Sequence, residues 1–239
     1  MDSILFSGCS YTYGEGLWRE TGDTHQNSEN QKYLLENRWT TKVSNHFNLN
    51  QISKGYNGGS NIGSIKFVRE EFDATTWNGN DIKLILFQTT QFNRHKFSID
   101  EQISELEKFV KEFENKNIPV RFIHWQWVDI TDEEMEIFLN RKHDFLGKLN
   151  PSFFPDKTIP PYDGNKLTSK IIRDRTIRIL DKFNFHEMVY HNDAHKKGTL
   201  SNKYTLAGKL RCEDFHMNQE GHDILTNEII NYIEKNKLL

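Results

Sequence analysis

The stretch ILFSGCSYTYGEG, Ile4 to Gly16, decides how the fold is read, because it joins an apolar run to a glycine turn that carries a hydroxyl near its apex. Ile4, Leu5 and Phe6 predict a short buried strand, and Gly8 lets the backbone turn sharply after it. Ser10 then leaves the strand end. Nucleophilic catalysis needs a serine hydroxyl that a base and a carbonyl can both reach, with backbone N–H groups close enough to receive developing negative charge. On their own, Gly, Ser and Thr after a strand are also ordinary turn chemistry.

The far end of the chain gives the serine a context. Glu213, Asp214, Phe215 and His216 are followed by Asn218, Gly221 and His222, just ahead of a final helical pattern. A serine after the first strand and an acid–histidine pair before the last helix divide the work of a triad in the order Ser…Asp…His.

GCSYTYG resembles the first block of the SGNH/GDSL hydrolase superfamily, with Cys9 in the place of the name-giving Asp. DFHMNQEGH resembles the last block, which supplies the acid and the histidine. NGGSN, Asn57 to Asn61, resembles the second block, whose glycine lends an N–H to the oxyanion hole. The matched blocks cover about a tenth of the chain and stand in the family's order.

The resemblance implies a serine esterase that removes small acyl groups, most plausibly O-acetyl groups on a carbohydrate, through an acyl-serine intermediate and without a cofactor. Ser10 is then the nucleophile and His216 the base. The acid is Asp214 at a DxH spacing, with Glu213 at the DxxH spacing as the alternative. The oxyanion donors are the N–H groups of Ser10 and Gly58 and a side chain beyond the third strand. There the family carries GxND, whereas this chain reads LILFQTTQFNR, which puts Thr90 at the Asn position with Gln91 beside it. Two other readings stay open: an O-acyltransferase acting on a glycan with the same triad, and a catalytically inactive binding or structural protein, which the missing GxND favours.

Composition bounds the rest. A chain of 239 residues and 28.3 kDa is long enough for one large α/β domain, with insertions expected at about 17–37 and 126–165. A net charge of −3 and a pI near 6.4 give no general attraction to nucleic acid or an anionic membrane, and the partner that the resemblance implies is a small-molecule or glycan acyl ester. The hydrophobic share is only 36%, yet 17 Phe and 5 Trp supply large burial per residue. No leader pattern or membrane-length apolar run is visible, and a cytoplasmic location is the expectation. Cys9 and Cys212 are too few for a disulfide framework and read as thiols. His186, His191, Asp193 and His195 read as an irregular polar loop rather than a metal site. The glycines from Gly55 to Gly63 match neither GxGxxG nor the P-loop.

Periodicity orders the elements. Arg19 to Glu36 is polar without an apolar period and reads as an inserted or mobile loop. Trp39, Val43 and Phe47 predict a helix over Arg38–Phe47, and Leu49–Ile52 a short strand. Ser60 caps a helix running to about Phe72. Lys83–Phe87 is a strand of the buried parallel type, followed by a helix over about Asp100–Asn115 and a strand over Pro119–Trp125. A short helix over Asp132–Leu139 and four prolines make 126–165 irregular. Lys166–Phe183 reads as one helix, Glu187–Tyr190 as a weak strand, and about Gln219–Lys235 as a helix burying Leu225, Ile229 and Ile233. Such βα alternation predicts a three-layer α/β/α sandwich around a mostly parallel sheet of about five strands, flavodoxin-like in layout, with the site at the carboxyl ends of the strands.

Overall fold

A computed structural model describes residues 2–14, 17, 28–56, 60–77, 81–90, 97–123, 169–177 and 219–239. Its elements, in chain order, are β1 (Ser3–Cys9), α1 (Ser10–Tyr13), α2 (Ser28–Asn37), α3 (Trp39–His46), β2 (Asn50–Tyr56), α4 (Asn61–Trp77), β3 (Ile82–Gln88), α5 (Ile99–Glu114), β4 (Val120–Ile123), α6 (Lys170–Arg173) and α7 (Gln219–Lys235). The strands form one parallel sheet in the order β2-β1-β3-β4.

The central strand explains the layers. Every residue of β1 is buried, as a parallel strand covered on both faces requires. Because side chains alternate across a strand, Ile4 and Phe6 face one side and Leu5 the other. Ile4, Phe6, Leu84 and Leu86 pack with Trp39 and Val43 of α3 and with Leu225, Ile229 and Ile233 of α7. Leu5, Ile85, Phe87, Val120 and Phe122 pack with Ile65 and Val68 of α4 and with Leu106, Phe109, Val110 and Phe113 of α5. Each such side chain contributes about 1.5–3 kcal/mol of transfer free energy when fully buried. The rings add directional contacts: Phe6 meets Trp39 edge-on at 5.3 Å, and Phe109 lies between Phe87 and Phe113 at 5.4 and 4.9 Å. The result is the three-layer α/β/α architecture predicted above.

The connections place the site. The link from β1 to β2 runs through α3 on one face, and the links from β2 to β3 and from β3 to β4 run through α4 and α5 on the other. The direction in which strands are added therefore reverses between β1 and β3, a topological switch point with a crevice outside the carboxyl ends of those strands.

Two readings are corrected. Within the helix expected over Lys166–Phe183, the described residues 169–177 form a single helical turn, Lys170–Arg173, followed by a segment that pairs with β4. The N–H of Phe122 donates to the carbonyl of Arg175 at 2.9 Å, the N–H of Ile177 donates to that of Phe122 at 2.8 Å, and Phe122 and Thr176 form a parallel bridge. The open edge of β4 supplies hydrogen bonds that a helix would forgo, and the β-branched pair Thr176–Ile177 suits a strand better than a helix. This bridge extends the four-stranded sheet at the β4 edge. The second correction concerns the polar stretch read as a loop: Ser28–Asn37 is helical, and Leu34 anchors it in the core. The helix expected at Asp132–Leu139, the strand expected at Glu187–Tyr190 and the polar cluster His186, His191, Asp193 and His195 lie outside the described residues. Among the described residues, no helix is long and apolar enough to cross a membrane.

Candidate active site

The backbone of Ser10 opens α1 directly after the last residue of β1. In register, Cys9 stands opposite Tyr56 of β2, and Ser7 opposite Phe87 of β3. Neighbouring strands lie about 4.8 Å apart, so the chain leaving β1 at Ser10 is flanked on one side by the end of β2 and on the other by Thr89 and Thr90. The first-turn N–H groups of a helix have no partner within it, and α1 brings such groups to this edge.

Three contacts fix α1 against the sheet and the start of α3. The first is steric. A Cβ on Gly55 would lie 2.5 Å from the backbone N of Tyr13 and 2.6 Å from the carbonyl oxygen of Cys9, so only glycine lets α1 come this close to β2. Gly8 is equally confined: a Cβ there would lie 2.3 Å from Oγ1 of Thr12 and 2.7 Å from Cβ of Gln88. The second contact is polar, the Thr12 hydroxyl donating to Oε1 of Gln88 at 2.5 Å. Gln88 ends β3 fully buried, and its Nε2 has no hydrogen-bond partner among the described residues. The third is Arg38, whose Nη1 donates to the carbonyl of Tyr13 at 3.5 Å and whose Nε donates to Oγ1 of Thr41 at 3.3 Å. Arg38 is 8% exposed. Burial pushes its pKa down, and Tyr13 partly offsets that.

Across the crevice, Ser60 caps α4 as expected, its Oγ accepting from the N–H of Gly63 at 2.9 Å. Asn61, the first residue of α4, is fully buried. Its Oδ1 accepts from the N–H of Thr90 at 2.8 Å, and its Nδ2 donates to the carbonyl of Thr90 at 3.4 Å and to Oε1 of Gln102 at 3.0 Å. Thr90 itself is buried, and its backbone N–H is taken by Asn61. An oxyanion contact from Thr90 would therefore come from its hydroxyl.

The start of α7 lies at the same edge of the sheet. Gln219 opens α7 beside the junction of α2 and α3: its Nε2 donates to the carbonyl of Asn37 at 3.4 Å, and its Oε1 accepts from the hydroxyl of Tyr33 at 3.3 Å. His222 is buried, and its Nδ1 accepts from the N–H of Trp39 at 3.2 Å. Of the residues expected to do chemistry, the structure describes Thr90 and the backbone of Ser10. Gly58, Gln91, Glu213, Asp214 and His216 lie outside the described residues, as does Cys212.

Asn61 entered the sequence reading only as the last residue of the NGGSN block, and Gln88 and Arg38 were given no role in the site. Gln88 carried a signal, being a polar residue closing an otherwise apolar buried strand. Asn61 sat in a glycine-rich turn where Asn is ordinary, and Arg38 at a helix start where a charge is unremarkable.

Neither a protein-family model nor a curated protein matches the chain. Solved structures do. The chain is similar to a psychrotrophic esterase, EstA, from Pseudoalteromonas sp. at 14% identity and a TM-score of 0.51, covering 98% of this chain and 97% of that one. It also aligns with a member of the lipolytic protein G-D-S-L family from Veillonella parvula at 14% identity and a TM-score of 0.45, over 97% of each chain. An acetylxylan esterase from Geobacillus stearothermophilus aligns at 12% identity and a TM-score of 0.46, over 97% of this chain and 93% of that one. At these identities the likeness establishes the fold alone, which the chain shares with the Pseudoalteromonas esterase.

Proposed function

We propose that this chain is an SGNH-type serine esterase that removes small acyl groups, O-acetyl groups on a carbohydrate above all, through an acyl-serine intermediate. The observation that carries the reading is the position of Ser10. It opens a helix at the carboxyl end of the central strand, at the topological switch point, in a fold shared with an esterase. The carbohydrate part rests on the resemblance of the sequence blocks.

In this reading His216 takes the proton from Ser10 as the hydroxyl oxygen attacks the ester carbonyl, and Asp214, or Glu213 in its stead, orients the imidazole and stabilises its charge. The N–H groups of Ser10 and Gly58 and the hydroxyl of Thr90 receive the oxyanion. Collapse of the tetrahedral species expels the alcohol, which takes the proton from His216. Water then repeats the sequence on the acyl-serine. The anchoring of Gln219, three residues after His216, beside α3 supports this arrangement, because it starts α7 next to the N-terminus of α3, on the face that α3 covers.

The Pseudoalteromonas esterase is inhibited by monoethylphosphonate. A serine-directed phosphonate therefore tests this chain directly: covalent mass added at Ser10, prevented by His216→Ala, is the predicted result. A phosphonate that leaves Ser10 unmodified, together with no turnover of any acyl ester, would refute the reading.

A further inference from the structure

We infer that Asn61 is a positioning residue: its carboxamide sets the spacing between the segment that opens α4 and the segment that leaves β3, the two walls of the crevice beside Ser10. The catalytic consequence rests on the esterase reading; the coupling itself does not.

The ladder of β3 ends at Gln88, yet the chain stays buried through Thr90. The backbone groups of Thr90 must find partners there, since buried N–H and C=O groups are almost always paired. Asn61 takes both. Its Oδ1 accepts from the N–H and its Nδ2 donates to the C=O of that one residue, as a neighbouring strand would. The second hydrogen of Nδ2 goes to Oε1 of Gln102 on α5, and Nε2 of Gln102 donates to the carbonyl of Phe97 at 3.1 Å. One side chain thus ties α4, the β3 exit and, through Gln102, both α5 and the chain that enters it.

The chemistry needs Asn. The site calls for a donor and an acceptor on a planar group reaching only as far as Cγ. Aspartate cannot donate, leucine can do neither, and glutamine is one methylene longer. Gly58 stands three residues before Asn61 in the chain, and Thr90 is the residue that Asn61 grips. The two proposed oxyanion donors outside the nucleophile loop are therefore attached to the two ends of this one pairing. Misplacing a catalytic contact by about 1 Å can cost about a hundredfold in rate.

The test uses the full chain and follows amide hydrogen exchange at Gly63, Ser64 and Thr90 in wild type, Asn61→Leu, Asn61→Asp and Gln102→Met, with hydrolysis of 4-nitrophenyl acetate per phosphonate-titrated site on the same samples. Asn61→Leu should speed exchange at Thr90 and at the start of α4 together, by about tenfold or more, while β1 and α7 stay protected. Its kcat should fall by about 10- to 100-fold with KM within about twofold. Asn61→Asp should exchange fast at about pH 8 and recover protection, relative to wild type at the same pH, at about pH 5, where a buried carboxyl takes up a proton and regains a donor. If Asn61→Leu does not fold, Gln102→Met carries the test, because it removes the buttress and leaves the Asn61–Thr90 pair to loosen. Faster exchange in only one of the two segments, or an unchanged kcat in a variant whose Thr90 amide has become labile, would overturn the inference. Absence of Ser10-dependent turnover in wild type would refute the esterase reading, and the exchange data would still decide the coupling.

Discussion

The backbone N–H of Trp39, in the first turn of α3, donates to Nδ1 of His222 on α7 at 3.2 Å, with both residues fully buried. Arg38, at the N-cap of α3, offers no side-chain cap, so an imidazole from another helix satisfies this N–H. A ring nitrogen that accepts carries no proton, which makes His222 the neutral tautomer with its hydrogen on Nε2. His222 is thus committed to joining α3 and α7, whereas the proposed mechanism uses the other histidine of the last block, His216, as its base.

His222→Leu should therefore destabilise the fold by about 1–3 kcal/mol, because it orphans a buried backbone N–H. The rate per folded molecule should stay near that of wild type. His216→Ala should do the reverse, lowering turnover by about a thousandfold or more while leaving the fold in place. Urea denaturation and ester hydrolysis on the same two variants check the division. Loss of turnover in folded His222→Leu would contradict it.

The close approach of α1 to the sheet predicts unequal costs for two small substitutions. At Gly55 the nearest atoms to an added Cβ are backbone N and O, which cannot rotate away, whereas at Gly8 the nearest is the hydroxyl of Thr12. Gly55→Ala should cost about 3 kcal/mol, the upper end of overpacking effects, and Gly8→Ala should also be destabilising but more readily relieved in part by rotation at Thr12. Either change shifts α1, so turnover should fall in both. Equal stability of Gly55→Ala and wild type in urea would refute this packing account.

The start of α5 predicts a pH dependence. Ser98 and Glu101 form a capping box, in which Oγ of Ser98 accepts from the N–H of Glu101 at 3.2 Å and Oε2 of Glu101 accepts from the N–H of Ser98 at 2.7 Å. The hydrogen bond from the Ser98 backbone, followed by one from its side chain, lowers the pKa of Glu101. A carboxyl whose folded pKa is depressed contributes stability above its unfolded pKa and loses it as pH falls through the folded value. The stability gap between wild type and Glu101→Gln should therefore be present at neutral pH and close as pH falls below the ordinary Glu range, about 4.3. Ser98→Ala should cost about 1 kcal/mol at neutral pH. Urea melts of these variants across that range check both statements.

Much of this fold was legible because its signals are local. The apolar runs of β1 and β3 have no reading other than strands buried on both faces, and the stripe Leu225, Ile229 and Ile233 marked α7 with the bounds it has in the structure. The segment after Lys166 was misread because Ile172 and Ile179 are spaced acceptably for a helix. What decides its conformation is the open edge of β4, set by a residue as distant as Phe122. The site divides in the same way. The loop carrying Ser10 announces itself by a glycine and a hydroxyl after a strand. The grip of Asn61 on Thr90 spans 29 residues, and that of His222 on Trp39 spans 183, so neither leaves a pattern that periodicity or spacing detects.

The most direct measurement is hydrolysis of an activated acetyl ester by the purified chain beside Ser10→Ala, across the pH range in which histidine titrates. The account predicts turnover that disappears with the hydroxyl and rises with pH through an apparent pKa near that of a histidine, about 6.5, as the base loses its proton. Equal rates in the two proteins, or a rate indifferent to pH across that range, would contradict a serine–histidine mechanism at this site.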